Sequence, residues 1–122
     1  MHKTFNIWGR DFNLEVMFGN LEDKDAKPIQ IAAWEEFNIE IVNSCLKDVE
    51  EYCLKHNADE IGTSKIDNIF KYVIPESIYI KNTKDNSHVV ALLCAYKFDE
   101  DNGMAIIFKN GSLYKIGTQN IV

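Results

Sequence analysis

Eight consecutive apolar residues, Val89 to Tyr96 (V-V-A-L-L-C-A-Y), constrain this chain more than any other segment. The run is too short to cross a bilayer, which takes about 18 residues or more. Its flanks are polar and turn-forming, K-N-T-K-D-N-S-H before it and F-D-E-D-N-G after it. A short apolar run between turn signals fits a strand central in its sheet and buried on both faces or nearly so. Shorter apolar stretches surround it at Ile78 to Ile80, Met104 to Phe108 and Leu113 to Ile116. Asn110-Gly111 separates the last two, and a two-residue hairpin turn needs the positive φ that Asn and Gly supply at little cost. These four segments predict an antiparallel meander.

The N-terminal part also carries strand periodicity. Phe12, Leu14, Val16 and Phe18 alternate with Asn13, Glu15 and Met17, and Thr4 to Trp8 precedes them across Gly9-Arg10-Asp11. The pattern fits a hairpin or one bent strand with a single buried face. Gly19 to Lys27 is a polar surface loop. Pro28 suits a first helical turn, and Ile31, Trp34 and Phe37 follow at helical spacing, which predicts a short helix to Phe37. A long helix is expected from a cap at Asn38 to about His56. Its buried stripe is Ile41, Val42, Cys45, Leu46, Val49, Tyr52 and Cys53, and His56 would cap its end. Ser64 would cap a further turn carrying Ile66, Ile69, Phe70 and Val73, which Pro75 would end.

The fold expected is thus α+β: one domain over residues 1–122, with an antiparallel sheet packed against one long and one or two short helices. Hydrophobic residues at 46% and charged residues at 26% are enough to build a core without metals or disulfides. The N-terminus has no apolar signal-peptide stretch, so a cytoplasmic chain is expected. A formal charge of −6 argues against binding nucleic acid through its phosphates. No membrane partner is expected either.

Catalytic and metal chemistry find little support in the residue pattern. Cys45, Cys53 and Cys94 form no C-x-x-C pair and sit at core positions, and His2, His56 and His88 show no ligand spacing. Asp99-Glu100-Asp101-Asn102-Gly103 invites a calcium reading, but counted from Asp99 the glycine falls at position five and Asn110 at position twelve, the wrong register for an EF-hand loop. A hairpin turn accounts for the same residues. Glu35-Glu36 and Glu50-Glu51 are adjacent on helices and point about 100 degrees apart, too divergent for an acid and base pair. No nucleophile elbow, P-loop or dinucleotide fingerprint occurs. Neither a catalytic residue nor a cofactor is expected, and the chain is read as a non-enzyme.

The C-terminal segment Y-K-F-D-E-D-N-G-M-A-I-I-F-K-N-G-S-L-Y-K-I-G-T-Q-N-I-V resembles the closing hairpins of a family of small uncharacterised bacterial α+β domains. In that family an aromatic-Asp-x-acidic-His-Gly turn leads into a strand, a second glycine turn and a terminal G-x-Q-Asp-like stretch. The matching positions are Phe98, Asp99, Asp101, Gly103, Gly111, Gly117, Gln119 and Asn120. Phe98 stands where the family has Trp and Asn102 where it has His, so no chemistry of a turn histidine carries over. The resemblance implies the fold, and relatives of this kind occur beside secreted toxins as immunity proteins.

The function expected is therefore binding of a cognate protein toxin, such as a basic nuclease-type domain. The partner-binding residues would be Asp99, Glu100, Asp101, Glu22, Asp23, Asp25, Glu50 and Glu51, because an acidic surface steers a basic partner. The competing expectation is a stand-alone domain of unknown activity that binds a small ligand between helix and sheet, against Trp8, Trp34 or Tyr79.

Overall fold

The computed structural model describes residues 1–122. Six strands form one sheet in the order β1-β2-β3-β4-β5-β6: β1 (His2–Ile7), β2 (Arg10–Met17), β3 (Val73–Ile80), β4 (Val89–Tyr96), β5 (Met104–Lys109) and β6 (Ser112–Gly117). Helices α1 (Pro28–Glu36), α2 (Glu40–Asn43) and α3 (Leu46–Ile61) all lie in the connection from β2 to β3. Every neighbouring pair is antiparallel except β2 and β3, which run parallel through Glu15–Ser77, Val16–Ile78 and Met17–Tyr79. The sheet is therefore mixed but mostly antiparallel, and the α+β architecture is the one expected. A parallel neighbour needs a long crossover, and the three helices supply it.

The turns follow the local chemistry. Asn110 and Gly111 take φ of +50° and +81°, as the β5–β6 hairpin requires. The β1–β2 hairpin turns one residue earlier than expected, at Trp8 and Gly9 with φ of +51° and +88°. β4 lies inside the sheet, with Val90, Ala91, Leu92, Cys94 and Tyr96 all buried.

The expected single helix from Asn38 to His56 is broken. Asn38 does cap a first turn, its Oδ1 accepting from the Glu40 amide at 3.0 Å, but α2 stops at Asn43 and α3 begins at Leu46. Side chains take the carbonyls that would continue the ladder. Ser44 Oγ donates to the Ile41 carbonyl at 2.7 Å, while the Trp8 indole and Cys45 Sγ donate to that of Val42 at 2.9 and 3.1 Å. Asn43 is held in turn by the hairpin: it accepts from the Trp8 amide at 2.7 Å and donates to the Asn6 carbonyl at 3.1 Å. At its other end α3 passes His56 and reaches Ile61, with a kink at Asn57 (φ −137°, ψ 36°). His56 is therefore not a C-terminal cap; it stacks on Tyr52, with ring centres 4.3 Å apart.

Two further expectations fail locally. Asn68, not Ser64, caps the next turn, accepting from the Phe70 amide at 3.1 Å. Pro75 does not end that turn but lies within β3, where the register with β4 shifts between Pro75 and Ser77. The β2–β3 ladder begins only at Ser77, so at Pro75 the strand has no second neighbour needing an amide hydrogen.

The main core lies between helices and sheet. Val42, Val49 and Cys53 pack with Leu14, Val16, Ile78, Ile80, Leu92, Met104 and Ile106, every one at most 1% exposed. Gln30 is buried in the same layer and fully partnered: its Oε1 accepts from the Lys27 amide at 2.8 Å and its Nε2 donates to the Ile80 carbonyl at 3.1 Å, tying α1 to β3. The opposite sheet face carries a small cluster of Ala91, Ala105 and Ile107, packed against Tyr79, Val89, Leu93 and Val122.

Candidate functional site

The β4–β5 turn, the kinked end of α3 and the segment after β6 meet around a cleft of about 250 Å³. Tyr52, His56, Phe98, Asp99 and Thr118 contribute to its lining. The kink places Asn57 so that its Oδ1 accepts from Tyr96 Oη at 2.6 Å. Phe98 packs edge-on against Tyr96 and stacks on Tyr72. Burial, with the neighbouring Cys53 next, raises the Tyr96 hydroxyl well above the usual tyrosine range, so it stays a proton donor to Asn57. Tyr52 is raised for the same first reason, with Cys53 and then Asp99 adding to it.

Three of the positions that carry the sequence resemblance, Asp99, Gly103 and Gln119, meet here with Asn102 as a clasp, while Gly111 lies at the far end of the β5–β6 hairpin. Asp99 Oδ1 accepts from both the backbone amide and the Nδ2 of Asn102 at 3.2 Å, and the Gly103 amide donates to the Asp99 carbonyl at 2.8 Å. Gln119 completes it, donating from its amide to the Asn102 carbonyl at 3.0 Å and from Nε2 to the Cys94 carbonyl at 3.1 Å. Gly103 has φ +59°, and a Cβ there would lie 2.6 Å from Gln119 Nε2 and 2.7 Å from the Cys94 carbonyl oxygen. Only glycine fits without displacing the clasp. The turn is thus fixed by its own hydrogen bonds.

The eight acidic residues expected to bind a partner fall into three groups. Glu50 and Glu51 precede Tyr52 on α3, and Asp99, Glu100 and Asp101 lie on the β4–β5 turn; of these five, Asp99 lines the cleft. None of the five is in an ion pair, although Glu100 shares a shallow depression with Lys71 and Lys97. Glu22, Asp23 and Asp25 are separate, in the loop before α1. There Asp23 meets the Met1 amino group at 2.8 Å and Glu22 meets Lys24 at 3.5 Å.

A second pocket, of about 190 Å³, does lie between helices and sheet. It is lined by Ala33, Phe37, Ile41, Val90 and Phe108 rather than by Trp8, Trp34 or Tyr79. Those three are placed elsewhere: Trp8 on Val42, Trp34 against Phe5 and Phe37, and Tyr79 on the opposite sheet face. His88 and Glu36 meet at its mouth, Nδ1 to Oε2, at 2.8 Å. They are 52 residues apart, and no local spacing could have paired them.

The three thiols are buried and free. Burial, with Asp48 next, pushes Cys45 up to about 12, and burial also raises Cys53 and Cys94, so none offers a thiolate at neutral pH. No three His, Cys, Asp or Glu side chains are grouped so as to hold a metal ion. No helix is long and apolar enough to cross a membrane.

No curated protein and no solved structure matches the chain. One family does, over residues 1–122, under the description "Domain of unknown function (DUF6985)". With that match spanning its whole length, the chain belongs to this uncharacterised domain family.

Proposed function

We propose that this domain is a non-enzymatic binding protein that neutralises a cognate bacterial toxin by direct contact in the cytoplasm, using the acidic end of the molecule. The observation that carries the reading is the cleft at Tyr52, His56 and Phe98, which Asp99 lines and whose flanking segments carry carboxylates outside any ion pair, Glu50 and Glu51 just before Tyr52 and Glu100 and Asp101 just after Asp99. Aromatic side chains supply contact area at little entropic cost, and unpaired charges around them steer an oppositely charged surface into place. A lysine or arginine of a basic toxin domain fits such a cleft, its stem against the rings and its head toward Asp99. Asp99 accepts from the neutral donors of Asn102, which fix its position without cancelling its charge.

The test has two steps. Tagged protein should co-purify with a basic toxin domain encoded beside it. The variant Glu50→Gln/Glu51→Gln/Glu100→Gln/Asp101→Asn should then associate with that partner roughly tenfold more slowly at low salt, with a flatter salt dependence. Glu22→Gln/Asp23→Asn/Asp25→Asn serves as the control and should associate at the original rate. A verified partner whose association rate is unchanged by the first variant overturns this surface, and a neighbouring toxin that never binds overturns the function.

A further inference from the structure

On the sheet face opposite the helices, the β3–β4 loop overhangs a groove of about 490 Å³, within the range of small-molecule sites. Its lining includes Val89, Ile107 and Tyr114 together with Lys81, Lys84 and Lys109, the Lys109 Nζ lying 5.2 Å from the Tyr114 ring centre. The chain has 19 acidic side chains against 13 basic ones, yet none of these three lysines is in an ion pair. Asp85, the one carboxylate side chain of the lining, is already committed: Ser87 donates to its Oδ1 from the backbone amide at 3.1 Å and from Oγ at 2.5 Å. These bonds, with a smaller contribution from Lys109, hold its carboxyl below the usual range, so one anion faces three lysines.

The loop that presents Lys81 and Lys84 is fastened at several points. Thr83 Oγ1 donates to the Ser87 carbonyl at 2.7 Å, the Lys81 amide donates to the Val89 carbonyl at 3.0 Å, and the His88 amide donates to Asn110 Oδ1 at 2.8 Å. A rim held in this way loses little freedom when it receives a ligand. Apolar side chains beside three lysines and a single carboxylate side chain select a molecule with an apolar body and one anionic group.

We propose that this groove binds a small amphiphilic anion, its apolar body on Val89, Ile107 and Tyr114 and its carboxylate, sulfate or phosphate group among Lys81, Lys84 and Lys109. The site is independent of the acidic end and of any toxin. Decanoate titrated into the whole protein, followed by calorimetry and amide chemical shifts, should bind saturably, with shifts centred on Val89, Ile107 and Tyr114. Lys84→Glu/Lys109→Glu should weaken it by roughly tenfold or more, as reversal of two charges implies. Should that variant fail to fold, Lys84→Gln should give a smaller loss in the same direction. Decyltrimethylammonium, with the same tail and opposite charge, and inorganic phosphate, with the charge and no tail, should both bind far more weakly. Absent saturation, equal binding of the cation or of bare phosphate, shifts centred on the Glu36–His88 pocket, or binding indifferent to the lysines would each overturn the proposal.

Discussion

Leu92 and Leu93 are consecutive in β4, identical in chemistry and opposite in circumstance. Leu92 points into the helix-covered face and is 1% exposed, while Leu93 faces the other way and is only half-buried beside Ala91 and Ala105. The covered face is closed by α1, α2 and α3 and filled with large side chains. The open face is closed at its centre by small residues that neighbouring strands and the C-terminal segment shield. A continuous apolar run is thus divided into a half that the helices seal and a half left partly open, whose first residue, Val89, lines the groove.

The severest challenge to that division is a charge on the covered face. Val49→Asp puts an unpaired carboxylate at a fully buried position and should unfold the domain. Maleimide labelling reads this directly, because Cys45, Cys53 and Cys94 all belong to the covered core: they should react slowly in the native protein and at the denatured rate in the variant. A cooperatively folded Val49→Asp protein with protected thiols would break the assignment of this face. The next largest effect should separate the two leucines. Leu92→Ala should cost about 2–5 kcal/mol, whereas Leu93→Ala should cost about 1 kcal/mol, both from urea denaturation. Equal losses would mean that the open face is covered after all. The smallest effect concerns the loop over the groove. Asp85 has a lowered pKa in the folded protein, so its contribution is present above the ordinary carboxylate value and is lost as pH falls through the folded one. Amide exchange at Ser87, corrected for intrinsic rates, should accelerate on that acidification, and Asp85→Asn should show the faster exchange at neutral pH already.

What the sequence made legible was local. The apolar run of β4, the alternation in β2 and the Asn110-Gly111 turn each act through near neighbours, and each appears in the structure where the residues place it. The break between α2 and α3 is only partly local: Ser44 and Cys45 bond carbonyls within E-I-V-N-S-C-L itself, while the Trp8 indole reaches the Val42 carbonyl from 34 residues away. Pro75 misled for a related reason: proline excludes a central ladder position, but whether β3 has a second neighbour at that point depends on how far β2 extends. The acidic residues were visible as charges, and their sorting into paired and unpaired groups was not. The lysines of the groove carry no sequence signal, because two lie on the β3–β4 loop and the third at the end of β5, in a chain of opposite net charge.

The parallel contact between β2 and β3 sets the order in which the chain can assemble. Strands β3 to β6 pair with sequential neighbours across short connections, so their ladder closes with little loss of chain entropy. The β1–β2 hairpin is equally local, but its three-residue seam with β3 joins positions about sixty residues apart, and that closure is the slow one. The meander should therefore nucleate folding, and the hairpin should dock late, onto helices that its own Trp8 and Asn43 contacts help to interrupt. In stopped-flow measurements, Ile106→Val in β5 should chiefly slow folding, whereas Ile7→Val in β1 should chiefly hasten unfolding.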